Sequence, residues 1–192
     1  MRFPKRPPVE LVAEQLEKME EANEKPEGVF LCFATDPFLK ENWEASTRVI
    51  ELLENNGIPV ATLSKTAISS YKTVRHGMTI VSLDEPFKAE YEREAISLQQ
   101  RLAWLHEADN ENEYTWISME PYPTPEKHRQ NITHLLDEVN FVKFIIFGKW
   151  NYDAKTGTKE AKEFYQDAVA EFRDFCQSHA IRHWIKTDTL DF

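Results

Sequence analysis

The residues of this chain best suited to chemistry recur just after apolar runs. Thr35 and Asp36 follow the first such run, Ser64 and Lys65 the second, and Ser82 and Asp84 the third. Glu120, Lys149, and the pair Lys186 and Asp188 follow three more. If these runs are parallel strands, their carboxyl ends face one mouth, where α/β proteins keep their ligands. Each polar residue alone is what a strand end reaching water requires. Together, ammonium groups, carboxylates and small hydroxyls suit a zwitterionic small molecule that carries hydroxyls and an ammonium group, with aromatics nearby to cover an apolar face.

Other chemistries find no support. There is no glycine-rich phosphate loop of either common type, and no G-x-S-x-G nucleophile turn. His128 and His134 lie on one predicted helix but six apart, so they do not share a face as metal ligands would. Cys32 and Cys176 are far apart in sequence, and neither a disulfide framework nor a metal motif can be built from them. No metal site is expected.

The elements that must position these residues follow from periodicity. Pro7 and Pro8 open a helix with Val9, Val12, Leu16 and Met19 at helical spacing, running to about Asn23. Val29 to Thr35 is apolar nearly throughout, as a strand covered on both faces would be. A helix from Asn42 to Asn56, stopped by Gly57, leads to a strand from Val60 to Lys65. A weakly helical stretch from Thr66 to Val74 precedes a third strand, Thr79 to Leu83. Pro86 opens one long helix through Leu105, and Tyr114 to Met119 is the fourth strand. Thr124 caps a further helix, Phe141 to Phe147 is the fifth strand, and a helix from Lys159 to His179 precedes a short sixth strand, Ile181 to Lys186. Six strands alternating with helices predict a parallel sheet, either open and doubly wound or an incomplete barrel. The chain starts with a helix where such a sheet normally starts with a strand, which suggests a missing first strand.

The 192 residues, 41% of them hydrophobic, suffice for one core, so residues 1–192 are expected to form a single domain. No apolar run is long enough for a membrane span, and the first residues lack the core of a signal peptide, so the chain reads as cytoplasmic. A net charge of −10 disfavours nonspecific binding to nucleic acid.

Six motifs in order, VFLCFATDPF at 29–38, ATLSK at 61–65, TIVSLD at 79–84, YEREAISLQQRLAWL at 91–105, SMEPYP at 118–123 and FGKWNYD at 147–153, resemble radical S-adenosylmethionine proteins of the spore photoproduct lyase-like group. The resemblance implies a partial TIM barrel. In that group a [4Fe-4S] cluster on a C-x-x-x-C-x-x-C motif follows the first strand, and S-adenosylmethionine chelates its open iron. By this resemblance Thr35 and Asp36 contact the cofactor's amino end, Lys65 and Ser82 face its carboxylate and ribose, and Glu120 lines the far side. Arg101 is either a second carboxylate partner or a helix-surface charge.

The departures are equally specific. No C-x-x-x-C-x-x-C is present, and three thiolates are needed to hold three irons and leave the fourth open. The cysteine that returns a hydrogen atom in spore photoproduct lyase is replaced by Phe33, and Cys32 beside it points to the opposite strand face. Thymine-dimer repair is therefore not expected. The leading expectation is a radical S-adenosylmethionine-type domain that keeps most of the cofactor pocket, lacks the cluster cysteines and needs a missing N-terminal segment for activity. The alternative is a small-molecule binding module without radical chemistry. Expected partners are the small-molecule cofactor and either that segment or a second copy pairing edge to edge.

Overall fold

The computed structural model describes residues 6–31, 35–69, 71–151 and 157–190. Helix α1 (Pro8–Glu21) begins at the proline pair, where the missing amide hydrogen costs nothing. Strand β1 (Val29–Leu31) is followed by α2 (Trp43–Asn55), which stops ahead of Gly57, a residue in the left-handed region at φ 61°. Strands β2 (Val60–Ser64) and β3 (Arg75–Thr79) come next, then helices α3 (Glu85–Tyr91) and α4 (Leu98–Asn110). The chain continues through β4 (Thr115–Tyr122), α5 (Ile132–Glu138), β5 (Phe144–Lys149), α6 (Lys159–Ser178), β6 (Arg182–Ile185) and the single turn α7 (Thr187–Leu190). The strands form one six-stranded sheet in the order β1-β2-β3-β4-β5-β6, every neighbouring pair parallel.

Strand alternation divides the sheet into two unlike faces. Met78, Ile117, Met119, Ile145, Phe147 and Ile185 point to one face and form the main core with residues of α4, α5 and α6. Val29, Leu31 and Val60 extend that face into a second cluster under α1 and α2. The other face carries Phe30, Trp116, Phe144, Ile146 and Trp184. Trp184 is 50% exposed, as a helix-covered face would not allow. With its helices on one face only, the sheet is the wall of an open partial barrel rather than a doubly wound sheet, and β1 and β6 are its edges.

The largest departures from the sequence reading are four, besides β4 and β5, which run three and two residues further than read. The third strand is Arg75–Thr79, upstream of the apolar TIVSL run, because buried His76 is paired with Glu113 at 2.9 Å and Gly77 lies beneath the Trp116 ring. Residues 66–69 and 71–74 hold no helix. The long helix expected from Pro86 to Leu105 is two, since the chain turns at Glu92 to bring its carboxylate inward. Thr124 accepts only a turn, through the amides of Lys127 and His128, and the helix begins after Asn131, whose side chain caps Thr133 and His134. Residues 32–34, the end of the first predicted strand, and with them Cys32 and Phe33, lie outside the described residues.

Candidate ligand site at the carboxyl ends of the strands

Asp36 organises the mouth where β1 and β2 end. Its Oδ1 accepts from the Phe38 amide at 2.9 Å, the Ser64 hydroxyl at 2.9 Å and the Thr66 hydroxyl at 3.0 Å. Its Oδ2 accepts from the Lys65 amide at 2.6 Å. All of these donors are neutral, so the carboxylate's formal negative charge is solvated by hydrogen bonds but not cancelled. Asn42 secures the same loop by donating to the Asp36 carbonyl at 2.9 Å and the Thr35 hydroxyl at 3.3 Å, which leaves Thr35 at the exposed margin.

One residue further on, the Lys65 ammonium meets Glu92 at 2.9 Å, and Glu92 also meets Arg101 at 2.7 Å. Arg101 is fully buried, not a helix-surface charge, and donates to the Thr79 carbonyl at 2.6 Å and the Ile96 carbonyl at 3.3 Å. The segment joining α3 to α4 is pinned there as well, the Ile96 amide donating to the Lys65 carbonyl at 3.0 Å. Two cations share one carboxylate, so the group carries one formal positive charge. Lys65 is its solvent-facing end, with a side chain 37% exposed.

Asp36, Leu39, Lys65, Thr66, Tyr91 and Glu92 line a groove of about 470 Å³, open to solvent. Glu90, Arg93 and Glu94 also line it, and within it Asp36 sets a negative locus beside the positive locus at Lys65, the complement of an amino acid's ammonium and carboxylate.

The remaining predicted residues stand apart from this groove. Ser82, almost fully buried, faces His128, with Oγ to Nε2 at 3.1 Å, and accepts from the Asp84 amide at 3.1 Å. His128 Nδ1 lies 3.7 Å from Asp84, too far for a hydrogen bond. With its hydroxyl buried and its imidazole unanchored, this trio is not an assembled nucleophile; it ties the loop after β3 to the loop after β4. Phe87 packs on the His128 ring at 5.0 Å, and Tyr91 meets Trp150 edge-on at 5.2 Å, so an aromatic cluster covers the ends of β3 to β5. Glu120 lies across β5 at Gly148, where a Cβ would come within 2.8 Å of its side chain, and pairs with Lys186 at 2.5 Å. Tyr165 fastens the loops after β4 and β5 by donating to the Tyr122 carbonyl at 2.8 Å and accepting from the Trp150 amide at 2.9 Å. Burial pushes its hydroxyl up to about 12, so it stays protonated as a donor.

Glu92 is the neighbour of Lys65 that motif reading missed. A signal was present: Leu98, Arg101, Leu105 and Ala108 make one buried stripe of α4, and an arginine inside an apolar stripe requires a buried carboxylate.

Among the described residues, no group of three or more His, Cys, Asp or Glu could hold a metal ion. Cys176 is buried in α6, and desolvation pushes its thiol up to about 12, the reverse of what a metal-ligating thiolate needs. No helix among the described residues is long and apolar enough to cross a membrane.

Neither a protein-family model nor a curated protein matches this sequence. Solved structures do match in fold. The chain resembles Streptococcus suis SuiB bound to S-adenosylmethionine, with a TM-score of 0.66 over 97% of this chain and 9% identity. It resembles SuiB bound to the precursor peptide SuiA with a TM-score of 0.65 over 96% of this chain, also at 9% identity. The chain spans 45% and 43% of those two chains. The fold is thus an α/β fold resembling the radical S-adenosylmethionine partial barrel, with the sheet not closed.

Proposed function

We propose that this domain is a radical S-adenosylmethionine-type domain of the spore photoproduct lyase-like group that binds S-adenosylmethionine at the carboxyl-end groove and carries no cluster ligands of its own. The observation that carries this reading is the paired formal charges of the groove, Asp36 beside the Lys65–Glu92–Arg101 group, within a fold shared with a protein solved bound to that molecule. Lys65 is assigned to the carboxylate of the methionine moiety. The Asp36 loop, with Thr35 at its margin, is assigned to the ammonium, and Arg101 acts through Glu92 by holding Lys65 in place. The resemblance puts the ribose and the far side of the ligand toward Ser82 and Glu120, which stand beyond the groove and are engaged with His128 and Lys186. When a cluster is present, the group's chemistry is reductive cleavage of S-adenosylmethionine. The two cysteines of this chain cannot hold one, so its ligands would come from outside these 192 residues. A binding module without radical chemistry is the second reading, favoured by that same lack of ligands.

Calorimetric titration with S-adenosylmethionine tests the proposal. Wild type and the exposed-site control Arg48→Ala should bind alike. Lys65→Ala should weaken binding about tenfold or more, the worth of a charge-assisted hydrogen bond of about 1.5–3 kcal/mol. No binding by wild type at millimolar ligand, or equal binding by Lys65→Ala, contradicts it. Anaerobic treatment with iron and sulfide should leave the chain without a cluster, and about four irons bound per chain would overturn the ligand count.

A further inference from the structure

The opposite end of the barrel wall carries a second cavity, independent of the function proposed above. It lies on the helix-free face near the amino ends of the strands, with a volume of about 380 Å³, within the range of small-ligand sites. Its floor is a row of rings: Phe30 lies 5.7 Å from Trp116, and Trp116 lies 6.4 Å from Phe144. The Trp116 indole is fixed in place. Its Nε1 donates to the Arg75 carbonyl at 3.2 Å, and its ring lies across β3 over Gly77, where any Cβ would overlap it.

Two guanidiniums, Arg75 and Arg182, line the same cavity, and among the described residues no carboxylate does. Arg75 rests over the Tyr114 ring at 5.3 Å, and Arg182 projects from the edge strand β6. Neither has an ion pair with a carboxylate among the described residues, although the chain carries 33 acidic residues and a net charge of −10. An aromatic floor selects a planar ring, and unpaired guanidiniums select an oxyanion.

We propose that this amino-end cavity binds a small planar aromatic anion of the size of a nucleoside monophosphate, the ring set against the half-buried Phe30 and Phe144 rings that flank the buried Trp116, and the anionic group held by Arg75 and Arg182. The charge of this site is the reverse of what a sulfonium ligand requires, so it is distinct from the carboxyl-end groove.

The probe is adenosine 5′-monophosphate, followed by quenching of tryptophan fluorescence and by calorimetry. Adenosine, which lacks the anion, and inorganic phosphate, which lacks the ring, should each bind at least about tenfold more weakly. Arg182→Ala and Arg75→Ala should each cost about tenfold or more with the thermal midpoint kept, while Arg48→Ala changes nothing. Saturating S-adenosylmethionine should not displace the probe. The proposal is overturned if the monophosphate does not bind at millimolar concentration, if both arginine variants bind it as wild type does, if S-adenosylmethionine competes with it, or if sedimentation shows that a second copy of the chain covers this face.

Discussion

Arg101 is a buried charge linked to Lys65 through Glu92. Its side chain is out of water, so its pairing with Glu92 and its bond to the Thr79 carbonyl must offset desolvation, and removing one partner strands the other. Glu92→Gln or Arg101→Met alone should lower unfolding free energy by about 3–5 kcal/mol in denaturant titrations, and the double variant should lose less than the sum. A loss under about 1 kcal/mol would mean that the group is not coupled. His76 predicts a pH dependence. Burial lowers its pKa, against the opposing pull of Glu113, so the folded chain resists protonation where the unfolded chain, at about 6.5, accepts it. The unfolded state then binds more protons, and this part of the stability is complete above about pH 6.5 and falls as pH drops below it. Denaturation midpoints between pH 7 and 5 should decline in wild type and decline less in His76→Asn; equal slopes would remove His76 as the cause.

Gly77 and Gly148 have the same role on the two strands that flank β4. Each lets a β4 side chain, Trp116 or Glu120, lie across the strand beside it. A Cβ at Gly77 would overlap the indole and approach the Thr62 carbonyl at 2.5 Å. Gly77→Ala should therefore destabilise by about 1–3 kcal/mol, as overpacking does, and shift Trp116 emission; an unchanged midpoint would show that the ring is free to move. The strand that contains Gly77 was also the hardest to read. Its sequence, Arg-His-Gly-Met-Thr, has neither alternation nor an apolar run, because its partners are the Glu113 carboxylate and a ring from β4 rather than neighbouring aliphatics. The runs at Val60 and Phe144, covered by helices on one face, declared themselves through aliphatic content. The turn at Glu92 was hidden for the same reason as Gly77: it exists to satisfy Arg101, a partner distant in space and not in pattern.

The alternation of strands and helices was enough to read the parallel sheet, whereas its one-sided covering was not, since doubly wound sheets and barrels share that order. The strand-end rule placed Asp36 and Lys65 together, and the structure adds why they belong together: one carries an uncancelled formal negative charge and the other the exposed end of a net positive group. It separates Ser82 and Glu120, which are engaged with His128 and Lys186. In the proposed function, S-adenosylmethionine enters this mouth and no other part of the wall. Methyl and amide NMR shifts during its titration test that most directly. Saturable shifts are expected at Leu39, Ala95 and Ile96 around the groove, with Ala61 and Ile146 of the amino-end cavity unmoved. Shifts confined to Ala61 and Ile146, or none at saturating ligand, would contradict it.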